Sequence, residues 1–417
     1  MKSLQFFIAS FALAMFTLRA PGQAGTLDPT FVAGDGPDFG QSYPEIYAIA
    51  VQPDGRILVS GTFTNWNHSG QAYLVRLLPN GAVDQTFSAA VSAPFSITAQ
   101  GNKILVDVPE LWRLNPNGSI DNSFQMVDRP GRTRVAPDGS LVRAGVMRFS
   151  GIAYLARWNA DGIYDTNFNV ELGTSRIARI DGFAIQPDGK VVISGNFQTP
   201  ARFIARINTN GSVDNTFVSA NFFTPPSTIA LAPGGRFYVV ESEKLWRLLP
   251  DGNFDTNFSF NNPYGAPSPF AVQPDSKVII GFGVTSAFPH LRRLNADGTS
   301  DPTFVAGFTN SNESIMALAR QLDGRVLVAG AFSSVQGAVR HYIARLLGDA
   351  PVLAAARNGP KLLLSWPAVY SSAALQARGD AGTGTWQNLS ATTVVSNDVK
   401  TATITPSNSA QFYRLSL

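Results

Sequence analysis

Ala48-Ile-Ala-Val-Gln-Pro-Asp-Gly-Arg-Ile-Leu-Val-Ser-Gly61, followed after a loop by Leu74-Val-Arg-Leu-Leu-Pro-Asn-Gly-Ala-Val-Asp-Gln-Thr-Phe87, decides the fold of this 417-residue chain. Apolar residues alternate into Pro-Asp-Gly or Pro-Asn-Gly and out again. Proline fixes φ, the Asp or Asn side chain caps its own turn, and glycine accepts φ > 0; together they make hairpins. The stretch reads as four short strands, 49–51, 57–60, 74–77 and 83–87, with no sustained 3.6-residue apolar period.

The unit recurs. Asp-x-x-Phe stands at Asp28/Phe31, Asp84/Phe87, Asp121/Phe124, Asp165/Phe168, Asp214/Phe217, Asp255/Phe258 and Asp301/Phe304, seven copies spaced 37 to 56 residues apart. From the second copy on, a glycine precedes the Asp by three. Pro-Asp-Gly or a variant also occurs seven times, beginning at Gln52, Ala99 (degenerate), Ala136, Gln186, Ala232, Gln273 and Gln321. Each unit must bury its apolar face against the next, so four antiparallel strands given seven times predict an all-β, seven-bladed β-propeller. The two motifs are offset: the chain opens on a lone last strand, Leu27-Asp-Pro-Thr-Phe31, and the seventh unit stops at Ile343-Ala-Arg-Leu-Leu347 without one. An open ring would expose strand edges, so 27–31 is expected to complete the seventh blade.

These motifs resemble the delta-60 repeat of secreted bacterial proteins over about 26–347. The resemblance implies a seven-bladed propeller and supplies no catalytic residues. Two units depart from the pattern, at Val106-Asp-Val-Pro-Glu-Leu-Trp112 and Val240-Glu-Ser-Glu-Lys-Leu-Trp246, where the loop after the second strand shrinks to a tight turn.

Residues 1–24 have the three parts of a secretory signal: Lys2, an apolar run over 4–18, and Arg19-Ala-Pro-Gly-Gln-Ala24 with small residues at −3 and −1. The run is shorter than the ~20 residues of a spanning helix, so no membrane span is expected after cleavage. Cleavage would leave 30 basic residues against 29 acidic ones. With no basic patch interleaved with aromatics, nucleic acid is not an expected partner. The lack of cysteine excludes disulfides, thiolate nucleophiles and Cys-based metal sites. The propeller is assigned to 25–348. In 349–417 the repeat is gone, and short apolar runs such as Lys361-Leu-Leu-Leu-Ser-Trp366 and Gln411-Phe-Tyr-Arg-Leu415 lie between turn-rich segments, which reads as a small β-sandwich. Its early Leu364-Ser-Trp-Pro367 and closing Phe412-Tyr-Arg-Leu415 resemble fibronectin type III-like modules.

Each blade carries an arginine in its third strand (Arg76, Arg113, Arg157, Arg206, Arg247, Arg293, Arg345) and the Asp of Asp-x-x-Phe (Asp28, Asp84, Asp121, Asp165, Asp214, Asp255, Asp301). A residue repeated in every blade serves the blade, so these pairs are read as structural. Asn and Asp clusters at 115–121, 159–165 and 295–301 suit turns better than calcium loops, whose full ligand spacing they lack. The three histidines His68, His290 and His341 are never i, i+3 or i+4 apart. No nucleophile elbow, phosphate loop or dinucleotide fingerprint is present. No metal and no cofactor is expected.

The Pro-Asp-Gly and Pro-Asn-Gly turns share one face, and the loops after strands two and four share the other. The second face varies, and variable loops on a rigid scaffold carry function. Phe39, Tyr43, Trp66, His68, Phe222, Phe223, Tyr264, Phe288 and His341 fall there and are the candidate binding residues, because exposed rings beside Asn and Asp suit sugar stacking or a peptide groove. Asp35, Asp38 and Glu313 are the loop acids for a carbohydrate-active hydrolase or lyase, which needs two carboxylates ~5–10 Å apart. The leading expectation is a secreted, monomeric, non-enzymatic binding or scaffolding protein whose variable face engages a glycan or protein. A structural or adhesive surface protein is the third reading.

Overall fold

A computed structural model describes residues 24–416 except 41–44, 109, 126–128, 148–149, 173–177, 261–268, 284–289, 309–312, 322, 350–352, 359–360, 368–373, 380–384, 397–398 and 406–411. The leader expected at 1–24 falls, but for Ala24, outside the described residues. The chain divides into two units, one formed by 23–321 with 325–348, the other containing 349–417.

The turns form as their residues dictate. In the first, the Gly55 N–H donates to Gln52 O at 2.9 Å and the Gln52 N–H to Arg56 O at 2.8 Å. Asp54 Oδ1 accepts from the Arg56 N–H at 3.0 Å, and Gly55 has φ 82°, a conformation that favours glycine. Such hairpins generate seven antiparallel sheets of consecutive strands among the described residues. The first sheet is Ile46–Val51, Ile57–Gly61 and Leu74–Leu77; the second is Ser96–Gln100, Lys103–Asp107 and Leu111–Leu114. The third has four strands, Arg132–Val135, Leu141–Val146, Ala153–Trp158 and Tyr164–Glu171. The fourth is Arg179–Ile185, Val191–Asn196 and Ile204–Ile207, and the fifth Thr228–Leu231, Phe237–Glu241 and Lys244–Leu248. The sixth is Phe270–Val272, Val278–Gly281 and Leu291–Leu294; the seventh is Ser314–Arg320, Val326–Ala331 and Ile343–Leu346.

The expected fourth strand is a full strand only in the third sheet. Elsewhere it contracts to one bridge, as at Leu77↔Val83, Leu114↔Ile120 and Ile207↔Val213. In those sheets the backbone turns back at the motif phenylalanine, whereas the third sheet runs on as a strand although Asp165 Oδ1 also accepts from the Asn167 N–H at 3.0 Å. Asp84 Oδ1 accepts from the N–H of Thr86 at 2.9 Å and from its hydroxyl at 2.6 Å, and the Phe87 N–H turns back to Asp84 O at 3.2 Å. The side-chain bond two residues on together with that backbone turn takes the chain out of the ladder.

Segment 24–31 lies against the last strand of the seventh sheet. Leu27 bridges Leu346; the Asp28 N–H donates to Arg345 O and the Leu347 N–H to Thr26 O, both at 2.8 Å. Apolar packing follows the same circular order. One cluster joins each sheet to its successor, and one joins the seventh to the first through Ala317, Leu327, Ala329 and Ile343 against Ile57, Val59, Phe63 and Val75. Each sheet thus covers the apolar face of its neighbour, as repeat units require.

The arginine–aspartate pairs fasten this arrangement. Arg76 Nε donates to Asp84 Oδ2 at 2.9 Å, and the other six pairs match it at 2.8 Å. The same guanidinium reaches through Nη1 to a turn carbonyl of the following sheet: Arg113 to Ala160 O at 2.7 Å, Arg157 to Thr209 O at 2.9 Å, Arg206 to Pro250 O at 2.7 Å, Arg345 to Pro79 O. It also covers the motif phenylalanine, 4.6 Å from the Phe87 centroid in the case of Arg76. The first residue after the turn supplies a second cation in six sheets, for example Lys103 to Asp121 at 2.9 Å and Arg325 to Asp28 at 3.1 Å. The third sheet has Ser140 at that position, and its pair Arg157–Asp165 is the more exposed one.

In the second unit, 354–358, 361–367, 399–404 and 393–396 form one sheet, and 387–388, 374–378 and 412–416 another. Leu362, Leu364, Trp366 and Ala402 from the first pack with Leu375 and Leu415 from the second.

Candidate functional site

The first strand of each sheet runs from the variable loops toward its Pro-Asp-Gly turn. The beginnings of these inner strands surround a cavity of about 610 Å³. Tyr47, Ser96 to Thr98, Arg132 to Arg134, Ile180 to Phe183, Thr228 with Ile229, and Met316 line it, which takes in sheets one to five and seven. It therefore opens at the end where loop length and composition vary.

The third sheet gives the cavity its charge. Its inner strand reads Arg132-Thr-Arg-Val135 where other sheets place apolar residues such as Ile49-Ala-Val51 or Phe270-Ala-Val272. Alternation turns Thr133 into the sheet interface and leaves Arg132 and Arg134 exposed. Thr133 is held firmly: its N–H donates to Asp107 Oδ2 at 2.9 Å and its hydroxyl to Asp107 Oδ1 at 2.8 Å. Arg143 donates through Nη1 to the same Asp107 and through Nε to Arg129 O at 2.5 Å. Asp107, Thr133 and Arg143 are all buried, so the pair is satisfied as a buried ion pair must be. Behind it, the Arg129 guanidinium lies 4.8 Å from the Tyr164 ring centroid and 5.6 Å from that of Tyr154. A Cβ on Gly145 would sit 2.0 Å from Pro130 O; only glycine lets the strand approach this closely.

Arg134 lies 5.4 Å over the Phe183 ring, and enclosure by the surrounding strands, with Arg132 beside it, lowers its pKa from the usual arginine value. The one carboxylate among the described lining residues, Asp181, is taken by Arg179 Nε at 2.7 and 2.9 Å. Burial and the neighbouring Glu45 push the Tyr47 hydroxyl up.

None of the described candidate residues named from sequence lines this cavity. Trp66 is 0% exposed and meets Phe63 edge-on at 5.2 Å; Phe39 meets Tyr342 at 4.9 Å and Phe222 meets Phe254 at 5.2 Å. These three are buried, which corrects the expectation that they stand free for stacking. The cause is that the variable loops pack on one another: Pro37↔Trp66 and Asp38↔Asn65 pair as a short ladder. Phe223 is 86% exposed, on a segment whose N–H groups bind the buried Glu241. His68 is exposed in a turn, His341 is half-buried and His290 is fully buried. Tyr43, Tyr264 and Phe288 lie outside the described residues. Asp35 and Asp38 are exposed, Asp38 Oδ1 accepting from Gly40 N at 2.8 Å, whereas Glu313 is buried. No group of three His, Cys, Asp or Glu able to hold a metal occurs among the described residues.

Consecutive antiparallel sheets around a shared mouth, with a single short 3-10 turn at Pro233–Gly235 as the helical content of the described residues, define a β-propeller protein. A family model described as "Domain of unknown function (DUF5122) beta-propeller" matches 52–87, 106–124, 186–217, 273–304 and 321–349. No curated protein matches the chain in sequence. Among solved structures, the chain is similar in fold to the extracellular domain of a proposed hybrid two component system from B. thetaiotaomicron, at 10% identity and TM-score 0.50, over 83% of this chain and 45% of that one. YCF48 bound to D1 peptide aligns at 14% identity and TM-score 0.45, over 78% and 98% of the two chains. A catalytically inactive virginiamycin B lyase from Staphylococcus aureus with quinupristin aligns at 12% identity and TM-score 0.41, over 80% and 95%. No helix among the described residues is long and apolar enough to cross a membrane.

Proposed function

We propose that this chain is a secreted, non-enzymatic binding protein: a seven-bladed propeller closed by segment 27–31, with a small β-sandwich at 349–417, that takes a glycan or protein ligand at its variable face. The observation that carries the binding role is the 610 Å³ mouth at that face, a volume typical of ligand sites. It is built from six sheets whose interfaces are packed and ion-paired, so the site stands on rigid elements. A hydrolase needs two carboxylates across the scissile bond; among the described lining residues only Asp181 is acidic, and Arg179 occupies it. The leader at 1–24 and the two-sheet unit support export and a separate attachment or spacer module.

Screening the mature protein on glycan and peptide arrays tests this reading. Retention of a defined ligand class, competed by substitutions at the mouth, is the expected result. Turnover of a retained glycan, or binding unaffected by every substitution at the variable face, would overturn it.

A further inference from the structure

We infer that the mouth selects an anionic saccharide and that Arg132 and Arg134 hold its carboxylate. This rests on the binding reading above and names the ligand class for the same site.

Two cations face one cavity, and among the described residues no carboxylate is ion-paired with either; Asp181, the acidic residue of the described lining, is committed to Arg179. Every repeat arginine, by contrast, is matched to an Asp. Uncompensated guanidinium groups in a partly enclosed cavity attract an anion strongly, and their planar forks suit a carboxylate. Enclosure by the surrounding strands, with Arg132 beside it, lowers the Arg134 pKa, and a bound anion would oppose both effects. The scaffold fixes them, since Thr133 between them is bonded twice to buried Asp107.

The rest of the lining specifies a hydroxyl-rich partner. Ser96 and Thr228 bring hydroxyls, and Tyr47 presents a half-exposed ring. The inner strands have a neighbour on one side only, which leaves backbone donors and acceptors along the other. Sugars meet such mixed polar walls with donors and acceptors of their own and stack on an aromatic face. A volume of about 610 Å³ accommodates one or two sugar rings; a longer ligand would extend over the loops.

Calorimetric titration of the full mature protein with digalacturonate, its uncharged dimethyl ester and a tri-aspartate peptide tests the assignment. Digalacturonate is expected to bind, weakening with added salt, while the ester does not. Arg132→Gln and Arg134→Gln should each weaken it about tenfold, or about 1.4 kcal/mol, and Arg134→Lys should recover part of the loss. Because both side chains are exposed, the variants should melt with the parent, and the melting curve is recorded for each.

Equal binding of acid and ester, or undiminished binding in folded glutamine variants, overturns the role of the arginines. Binding of tri-aspartate in place of digalacturonate overturns the saccharide. If digalacturonate fails but another array ligand binds at the variable face, this inference falls while the binding reading stands; if nothing binds, both fall.

Discussion

Replacing Asp28 by Asn should destabilise the protein far more than the same change at Asp165, although both belong to one motif. Asp28 Oδ2 meets Arg345 at 2.8 Å and Arg325 at 3.1 Å, with Asp28 and Arg345 side chains 2% and 5% exposed. Asp165 meets Arg157 at 2.7 Å with side chains 25% and 23% exposed, and Ser140 replaces the second cation. Asparagine keeps the Oδ1 acceptor for Thr30, so the substitution isolates the charge. Leaving Arg345 buried and unmatched should cost about 3–5 kcal/mol; the half-exposed pair is worth about 1 kcal/mol or less. With a urea slope of about 3 kcal/mol per M for a unit of this size, Asp28→Asn should lower the unfolding midpoint by about 1 M and Asp165→Asn by a few tenths. Urea denaturation followed by circular dichroism reads both. Equal shifts, or a negligible one for Asp28→Asn, would refute the argument that burial gives these pairs their energy.

Other consequences are equally open to test. The motif carboxylates are held below the usual range. Asp214 is lowered by Lys190 and the Thr216 hydroxyl; Asp28 is lowered by Thr30 and Arg345, with burial opposing. A lowered folded-state pKa gives stability that is complete above the unfolded value near 4 and lost as pH falls below it; melting temperature should be flat from about pH 5 to 8 and drop below about pH 4. Trp66→Ala should cost about 3–5 kcal/mol by thermal melting, because the ring is buried, and should leave saccharide affinity at the mouth unchanged in titration. A Cβ on Gly330 would sit 1.9 Å from Ser314 O, whereas one on Gly139 meets nothing within 4 Å. Gly330→Ala should therefore cost at least about 1–3 kcal/mol. Gly139→Ala should cost only the roughly 1 kcal/mol of its left-handed backbone, as chemical denaturation would show. Deleting 24–31 removes the partner of Leu346 and the acid of Arg345; size-exclusion chromatography should show aggregation rather than a folded monomer.

By itself the sequence determined the local units: turn residues fix φ and cap themselves, apolar alternation fixes strands, and repetition fixes which residues serve every blade. It also exposed the offset that places Leu27 beside Leu346. The second cation after six of the seven turns was visible as Arg56, Lys103, Lys190, Arg236, Lys277 and Arg325, but its partner was not, since Asp84 or Asp121 meets it only once the sheet has formed. Tertiary structure alone decided the site. Trp66 and Phe39 look free in a loop and become core because two loops pair, which no local rule encodes. The signal for the mouth was present as Arg132-Thr-Arg134, two charges where an apolar strand was due, yet its meaning depends on Asp107 and Arg143 fixing Thr133 from the neighbouring strands. Short-range sterics are written along the chain; which groups share a cavity is set by packing among residues far apart in it.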